Sequence, residues 1–190
     1  MFEREMIELV RSTRDMLTEE KELEITAKGR ANFVTQMDVA VQEYMRTKLH
    51  DIDDGVLLLS EEQDNSQVSD PDGRYWILDP IDGTQNFIRH FDMSAVSLAY
   101  YAQGLLQTAV VYNPFTDELF HAVRGGGAFL NGKPIHVTGN GALSHCLVAI
   151  GTSPYDRQYT EKNFPLFQAM YSQCLDIRRT GSACLDLAYV

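Results

Sequence analysis

Acidic side chains follow two apolar stretches of the chain, at spacings that indicate a site for hard cations. Asp79 and Asp82 stand in Asp-Pro-Ile-Asp directly after apolar residues 75–78, and Glu61 follows apolar residues 56–59. Strand ends suit catalytic groups because the sheet fixes their position while the loop exposes them. Clustered carboxylates repel one another unless a cation compensates their charge, and Mg²⁺ prefers oxygen ligands. The pattern therefore predicts a magnesium site, in which a stiff proline turn would also present the Ile81 carbonyl.

Gly83 and Thr84 follow the second acidic group at once. A glycine lets the backbone approach a ligand closely, and free N–H groups at a helix start attract phosphate oxygens. Carboxylates that bind metal beside a turn that binds anions suggest phosphoryl chemistry, in which metals neutralise the phosphate and activate water.

Each acidic residue taken singly also has a structural explanation. Aspartate is common in turns and at helix starts, so Asp38 could be only the capping-box partner of Thr35. Glu61 could be a solvated surface residue. The block of residues 79–84 is different, because turn chemistry does not require those six residues in that order after a buried strand.

Composition limits the partners of the chain. The 190 residues include 27 acidic and 16 basic side chains, which gives a net charge of −11. This excess disfavours nucleic acid or an anionic membrane as a partner, although an anionic substrate can still be held through bound cations. No apolar run approaches the roughly 18 residues of a membrane-spanning helix. The three cysteines form no paired framework, so we expect reduced thiols and a cytoplasmic location.

Periodicity predicts the elements that position these groups. Residues 2–20 have the spacing of an amphipathic helix, residues 23–26 of an extended stretch and residues 27–32 of a loop, and a helix follows from Thr35 to about Leu49. Strands are expected at residues 56–59 and 75–78, two or three more between 94 and about 120, and hairpins around Asn131-Gly132. Further on we expect a strand, a helix at 160–172 in which Pro165 is tolerable only near the first turn, another strand and a helix from Ser182.

Other residues are weaker candidates for a catalytic or binding site. The five histidines lack zinc spacing. Cys184 reads better as a small buried residue than as a nucleophile. Lys28 lies in a glycine-flanked loop and is a weak candidate for a phosphate contact.

Residues 76–87, Trp-Ile-Leu-Asp-Pro-Ile-Asp-Gly-Thr-Gln-Asn-Phe, closely resemble the first signature of the inositol monophosphatase family, one of the metal-dependent, lithium-sensitive phosphatases. Residues 32–38 and 60–62 support the resemblance because they stand in the expected order and spacing. Residues 124–132 and 179–183 also look like segments of that family. The resemblance spans essentially the whole chain.

The resemblance implies a role for each matching position in a site with two or three Mg²⁺ ions. Glu61, Asp79 and the Ile81 carbonyl would bind a first ion, and Asp79 and Asp82 would contribute to a second. Glu61 would also hold or activate the attacking water, with a third, weakly held ion.

The remaining implied roles concern the water and the substrate. Thr84 would position the water, with Asp38 behind it as a proton acceptor, and Gly83 and Thr84 would hold phosphate oxygens. The residues implied to face the alcohol portion of the substrate are Asp82 and the backbone of Gly181, Ser182 and Ala183.

The family fold implied is a layered α/β (α+β) sandwich of the sugar-phosphatase type, with layers α-β-α-β-α. Residues 1–143 would form an α+β half that is built on an antiparallel sheet and carries the site. Residues 144–190 would begin an α/β half that is incomplete. A homodimer is the family expectation.

Three departures from the family pattern are present. Ser60 stands where a glycine is common, and Asn32 stands where an aspartate is common. The family's second signature, a Trp-Asp pair whose aspartate completes the second metal site, is absent from these residues. We therefore expect the sequence to be a C-terminally truncated version of a longer fold.

The leading hypothesis is Mg²⁺-dependent hydrolysis of a small sugar-like phosphate monoester, with inositol monophosphate as the default substrate. Within the same class, the alternatives are a phosphatase for 3′-phosphoadenosine nucleotides or for fructose 1,6-bisphosphate. An alternative from another class is a catalytically incomplete fragment or partner subunit, because the second signature is missing.

Overall fold

The fold is given by a computed structural model that describes residues 2–19, 22–29, 31–66, 70, 72–139 and 141–190. The α-helices in these ranges are α1 (Glu3–Arg11), α2 (Arg14–Thr18), α3 (Gln36–Ile52), α4 (Thr84–Ile88), α5 (Thr160–Tyr171) and α6 (Ala183–Ala188). The strands are β1 (Ile25–Gly29), β2 (Asn32–Thr35), β3 (Leu57–Ser60), β4 (Tyr75–Asp82), β5 (Ala95–Ala102), β6 (Leu105–Asn113), β7 (Glu118–Val123), β8 (Gly127–Leu130), β9 (Lys133–Ile135), β10 (Leu147–Ala149) and β11 (Asp176–Arg178).

The main sheet has seven strands in the spatial order β3-β4-β5-β6-β7-β8-β9. Successive strands from β4 to β9 pair antiparallel, as expected, and the turn at Asn131-Gly132 joins β8 to β9. The sheet departs from this pattern at one edge, where β3 runs parallel to β4. The parallel pairing brings the carboxyl ends of β3 and β4 to the same edge of the sheet.

One face of the sheet is covered by α1 and α3. Strand alternation directs Val96, Leu98 and Tyr100 of β5 and Val110 and Tyr112 of β6 toward these helices. The helices contribute the buried residues Met6, Leu9, Val10, Val41, Met45 and Leu49. The apolar periodicity of both helices therefore reflects a packed face, as predicted.

The opposite face of the sheet is covered in part by α6. Leu185 of α6 is fully buried and packs with Ala95 of β5 and Phe120 of β7. Ala95 and Phe120 alternate in sequence with residues of the first face, so α6 lies across the sheet from α1 and α3. Helices on both faces of a mixed sheet confirm the predicted layered α/β class.

Two predicted elements near the N-terminus differ in the structure. The helix predicted over residues 2–20 is interrupted, because the Ser12 and Thr13 hydroxyls donate to the carbonyls of Leu9 and Val10 at its break. The loop predicted at residues 27–32 belongs instead to the hairpin of β1 and β2, whose pairing satisfies backbone groups nearly to the tip. Residues 1, 20 and 30 lie outside the described residues.

Two further predictions are corrected by the later elements. The strand predicted at residues 75–78 continues to Asp82, with a register shift against β5 between Asp79 and Asp82. The proline of α5 is not confined to the first turn, since Pro165 is inside a helix that begins at Thr160. No residue of α5 is buried, so water can reach the backbone carbonyl that loses its N–H partner.

The remaining strands, β10 and β11, form a separate two-stranded parallel sheet. Each precedes a segment that reaches the candidate site described below. Within the described residues, no helix has both the length and the apolar character needed to cross a membrane.

Leu98 offers a test of the packing between the sheet and α1 and α3. Leu98→Ala should lower the free energy of unfolding by about 3 kcal/mol, because it leaves a cavity in a fully buried position. Denaturant unfolding followed by circular dichroism measures this change. Leu106→Ala, at a position that is 51% exposed on the neighbouring strand, is the control and should cost no more than roughly 0.5 kcal/mol. Equal losses in the two variants would contradict the assigned faces.

Candidate active site

A cavity of about 420 Å³ opens at the carboxyl end of β4. Its wall includes eight of the ten residues predicted for the site, which come from three separate parts of the chain. These are Glu61 after β3, Asp79, Ile81, Asp82, Gly83 and Thr84 in and after β4, and Gly181 and Ala183 around the start of α6. The other two, Asp38 and Ser182, are buried behind the wall.

Asp38 is both a helix-capping residue and a neighbour of the candidate site, so both explanations given for it from the sequence apply. Its Oδ2 accepts hydrogen bonds of 2.7 Å from the backbone N–H and the hydroxyl of Thr35, which completes the predicted capping box of α3. Its Oδ1 lies 3.3 Å from the Thr84 hydroxyl, which is also 3.1 Å from the Ile81 carbonyl. Burial raises the pKa of Asp38, while the hydrogen bonds from Thr35 act in the opposite direction. The helix cap therefore holds a carboxylate at the Thr84 hydroxyl.

Asp79 experiences the strongest electrostatic crowding in the site. Burial raises its pKa to about 8, and the negative charges of Asp82 and Glu61 add to the effect. An N–H group of Ile81 donates to the Asp79 carboxylate and opposes the shift. Partial burial also raises the pKa of Glu61, and the nearby Glu62 charge adds to that rise. Glu61, just after β3, and Asp79 and Asp82 of β4 are therefore close enough to repel one another.

Asp82 connects the main sheet to the C-terminal segment. Its Oδ2 accepts hydrogen bonds from the Ser182 hydroxyl and from the Cys184 backbone N–H, each at 2.7 Å. Ser182 is fully buried and also caps α6 by accepting from the N–H of Leu185 at 3.4 Å. One oxygen of Asp82 is thus committed to anchoring α6. Burial raises the pKa of the Cys184 thiol, with the Asp82 charge as the next cause. The side chain is only partly buried, whereas the sequence predicts a buried residue.

Gly83 occupies a position that a side chain would not fit. Its φ is +92°, and a Cβ there would lie 3.0 Å from the Met93 carbonyl oxygen and 3.4 Å from that of Gly181. The turn before α4 therefore packs directly on the segment before α6.

Lys28 stands in the β1–β2 hairpin and forms an ion pair with Glu62. Its positive charge lowers the pKa of the neighbouring Glu61, against the larger effect of burial. The ammonium group predicted as a weak phosphate contact is thus engaged beside the acidic cluster.

The chemistry of the donor set fits a hard divalent cation. Three carboxylates and a backbone carbonyl supply only oxygen, and a cation would relieve the crowding that raises the pKa of Asp79. Within the residues that the structure describes, however, no three acidic, histidine or cysteine side chains are already placed to hold a metal together. The site therefore has suitable donor atoms, but they would have to move closer together to bind an ion.

Sequence reasoning missed part of the cavity wall. Residues 150–155 and Arg179 line it, and both follow the strands of the small parallel sheet. Ligand sites often lie at the carboxyl ends of parallel strands, and this general rule could have directed attention to Gly151 after β10. In the sequence, Arg179 stands out only as a member of a family-like segment.

Asp79→Asn tests the electrostatic crowding. In the metal-free chain at neutral pH it should raise the free energy of unfolding by on the order of 2 kcal/mol, because the carboxyl, with its pKa raised to about 8, must take up a proton on folding at that pH and the amide does not. We expect Mg²⁺ to raise the melting temperature of the unmodified chain, and the same substitution should abolish that rise. Thermal and denaturant unfolding with and without Mg²⁺ measure both effects. Asp54→Asn, at an exposed turn, should change neither quantity, and a less stable Asp79→Asn variant would contradict the interpretation.

Comparison with known proteins identifies the family. The family model described as "Inositol monophosphatase family" matches residues 3–190. An inositol-1-monophosphatase of Rhizobium meliloti is 39% identical over 173 residues, which are 90% of this chain and 64% of that protein. The chain spans 62–64% of the length of the first curated relatives that it matches.

Solved structures agree with this result. The extragenic suppressor protein suhB of Bartonella henselae superposes with a TM-score of 0.86 at 31% identity, over 97% of this chain and 72% of that one. An IMPase/NADP phosphatase complexed with NADP and Ca²⁺ has a TM-score of 0.80 at 25% identity, over 96% of this chain and 67% of that one. The match over nearly all residues, together with the signature at residues 76–87, shows that the chain belongs to the inositol monophosphatase family.

Proposed function

We propose that the protein of which these residues form the site hydrolyses a small, sugar-like phosphate monoester with the help of Mg²⁺. The observation that carries the proposal is the crowding of Asp79, Asp82 and Glu61 on the wall of a cavity beside the Gly83-Thr84 turn. Such crowding destabilises a protein unless a bound cation compensates the charge. Its presence therefore favours a functional explanation of these carboxylates over a purely structural one.

Glu61, Asp79, Asp82 and the Ile81 carbonyl are the proposed metal ligands, for two or three ions. When bound, Mg²⁺ would neutralise charge on the phosphate and lower the pKa of a water molecule. Asp82 has one oxygen occupied by the start of α6, which leaves the other for this purpose.

Thr84 and Asp38 are proposed to handle the attacking water. The Thr84 hydroxyl has one proton and lies within reach of both the Asp38 carboxylate and the Ile81 carbonyl. Donation to Asp38 leaves the Thr84 oxygen free to accept from a water, so the pair can orient that water and hold its proton. Asp38 is buried and fixed by the cap of α3, which suits it to this positioning.

The substrate is proposed to lie across the cavity. The Gly83 and Thr84 backbone would hold phosphate oxygens, and Asp82 with the backbone of Gly181, Ser182 and Ala183 would face the alcohol portion. Inositol monophosphate is the default substrate, supported by the name of the Rhizobium meliloti relative. The IMPase/NADP phosphatase supports a phosphorylated nucleotide as the second choice. The family resemblance also implies a homodimer, which analytical ultracentrifugation would test.

Glu61→Gln tests the proposed ligand set. Release of phosphate from inositol 1-phosphate should require Mg²⁺ and should fall by about a hundredfold or more in this variant, because a charged ligand is lost from the site. Colorimetric detection of phosphate measures the rate. Glu62→Gln is a matched control, since Glu62 pairs with Lys28 and is not on the cavity wall, and it should retain most of the activity. A metal-independent rate would contradict the proposal.

A second candidate function is a catalytically incomplete fragment or partner subunit. It is favoured by a donor set that, among the residues the structure describes, is not closed around a metal position. Titration with Mn²⁺ or Mg²⁺, followed by calorimetry, separates the two candidates. Tight binding of two ions together with turnover supports the enzyme, whereas one weak site without turnover supports the fragment.

A further inference from the structure

Ser60 is the last residue of β3 and directly precedes Glu61, one of the proposed metal ligands. Its hydroxyl donates a hydrogen bond of 2.5 Å to Gln42 Oε1 of α3. Both side chains are almost fully buried, with 3% of Ser60 and 5% of Gln42 exposed. Separating two such groups in the protein interior costs free energy, because each would lose its partner where water cannot replace it. The end of β3 is therefore fastened to α3.

The backbone of Ser60 is held as well, by the side chain of Asn65. The Ser60 N–H donates to Asn65 Oδ1 at 3.2 Å, and the Ser60 carbonyl accepts from Asn65 Nδ2 at 2.7 Å. Gln63 Nε2 donates to the Leu58 carbonyl at 2.5 Å and to Asn65 Oδ1 at 3.1 Å. Because β3 is at the edge of the seven-stranded sheet, these side-chain amides take the place of a neighbouring strand. They close the turn of residues 61–65 onto the strand that carries it.

Gln42 connects this turn to the other side of the candidate site. It lies one helical turn after Asp38 on α3, so the two side chains leave the same face of the helix. Asp38 Oδ1 lies 3.3 Å from the Thr84 hydroxyl, while Gln42 holds the residue before Glu61. Two polar contacts, one turn apart on α3, therefore set the position of Glu61 relative to the Asp38–Thr84 pair.

We propose that Gln42 is a positioning residue, which acts through the Ser60 hydroxyl to hold Glu61 where a divalent cation can bind it. The proposal rests on the proposed function, because Glu61 is taken to be a metal ligand. A glycine is common in the family at the position of Ser60, and a glycine has no hydroxyl to reach Gln42. This anchor is therefore a property of the present chain rather than of the family pattern.

Ser60→Ala tests the anchor by removing the hydroxyl. It should weaken the binding of Mn²⁺ to the full chain by roughly tenfold or more, since residues that hold a metal ligand in place affect metal affinity to that extent. Isothermal titration calorimetry measures the affinity. The melting temperature should also fall, because Gln42 Oε1 loses a buried donor. Ser60→Thr keeps a hydroxyl and should retain most of the Mn²⁺ affinity.

A double variant, Gln42→Met with Ser60→Ala, separates positioning from stability. It replaces both buried partners by apolar groups, so it should recover most of the lost melting temperature. The Mn²⁺ affinity should nevertheless stay low, because Glu61 is still released from α3. The double variant also decides the question where Ser60→Ala alone does not fold.

Thr13→Val is the matched control. Thr13 is another fully buried residue, and its hydroxyl donates to the Val10 carbonyl at 2.7 Å, but it is not on the cavity wall. The control should lower the melting temperature and leave the Mn²⁺ affinity unchanged.

Three results would overturn the role of Gln42 and leave the proposed function standing. They are an unchanged Mn²⁺ affinity in Ser60→Ala, an affinity that recovers together with stability in the double variant, and an equal loss of affinity in Thr13→Val. Failure of the unmodified chain to bind Mn²⁺ would overturn both this role and the proposed metal site.

Discussion

Carboxylates gathered at the ends of two neighbouring strands repel one another, and the structure around the site is organised by the need to hold them there. The parallel pairing of β3 and β4 brings Glu61 near Asp79 and Asp82, and burial raises the pKa of Asp79 to about 8. Hydrogen bonds compensate only part of the free energy that it costs to bury these carboxylates close together. Asp79 accepts from an Ile81 N–H, and Asp82 and Asp38 each accept two donors on one oxygen. The other oxygen of Asp82 is available for a cation, whereas the other oxygen of Asp38 faces the Thr84 hydroxyl.

The contact between Asp82 and the start of α6 links two parts of the chain that are a hundred residues apart. Ser182 serves both as the N-cap of α6 and as a donor to Asp82, so the helix begins where the carboxylate is. Leu185 then buries its side chain against the sheet one turn later. The polar and the apolar contact together place Gly181 and Arg179 on the cavity wall.

Much of the site could be predicted from the sequence because its chemistry is concentrated in short segments. Residues 79–84 and the capping box at Thr35 combine local propensity with chemistry, and the structure places both as the spacing indicates. Contacts across long separations could not be predicted from spacing. The hydroxyl of Ser182 on Asp82 and the guanidinium of Arg179 in the cavity depend on how β10 and β11 pack, which no local pattern specifies.

The errors in the predicted elements also arise from features that a local sequence pattern does not show. A hairpin at residues 25–35 resembles a loop in sequence because its strands are short and carry glycine and polar residues. The break between α1 and α2 arises from side-chain hydroxyls that compete for helix carbonyls, an effect that a hydrophobic period does not record. The parallel edge strand β3 cannot be distinguished from an antiparallel one by its four apolar and small residues alone.

Asp38 has a consequence for how variants of this protein should be understood. One of its oxygens starts a helix of seventeen residues, and the other reaches a hydroxyl that is 46 residues away in the chain. Because Asp38 lies in the first turn of α3, the position of α3 on the sheet also sets the position of the carboxylate that faces Thr84. A change in the apolar packing of α3, far from any charged group, would shift both together, so its effect on the site would come from altered alignment rather than from a lost functional group.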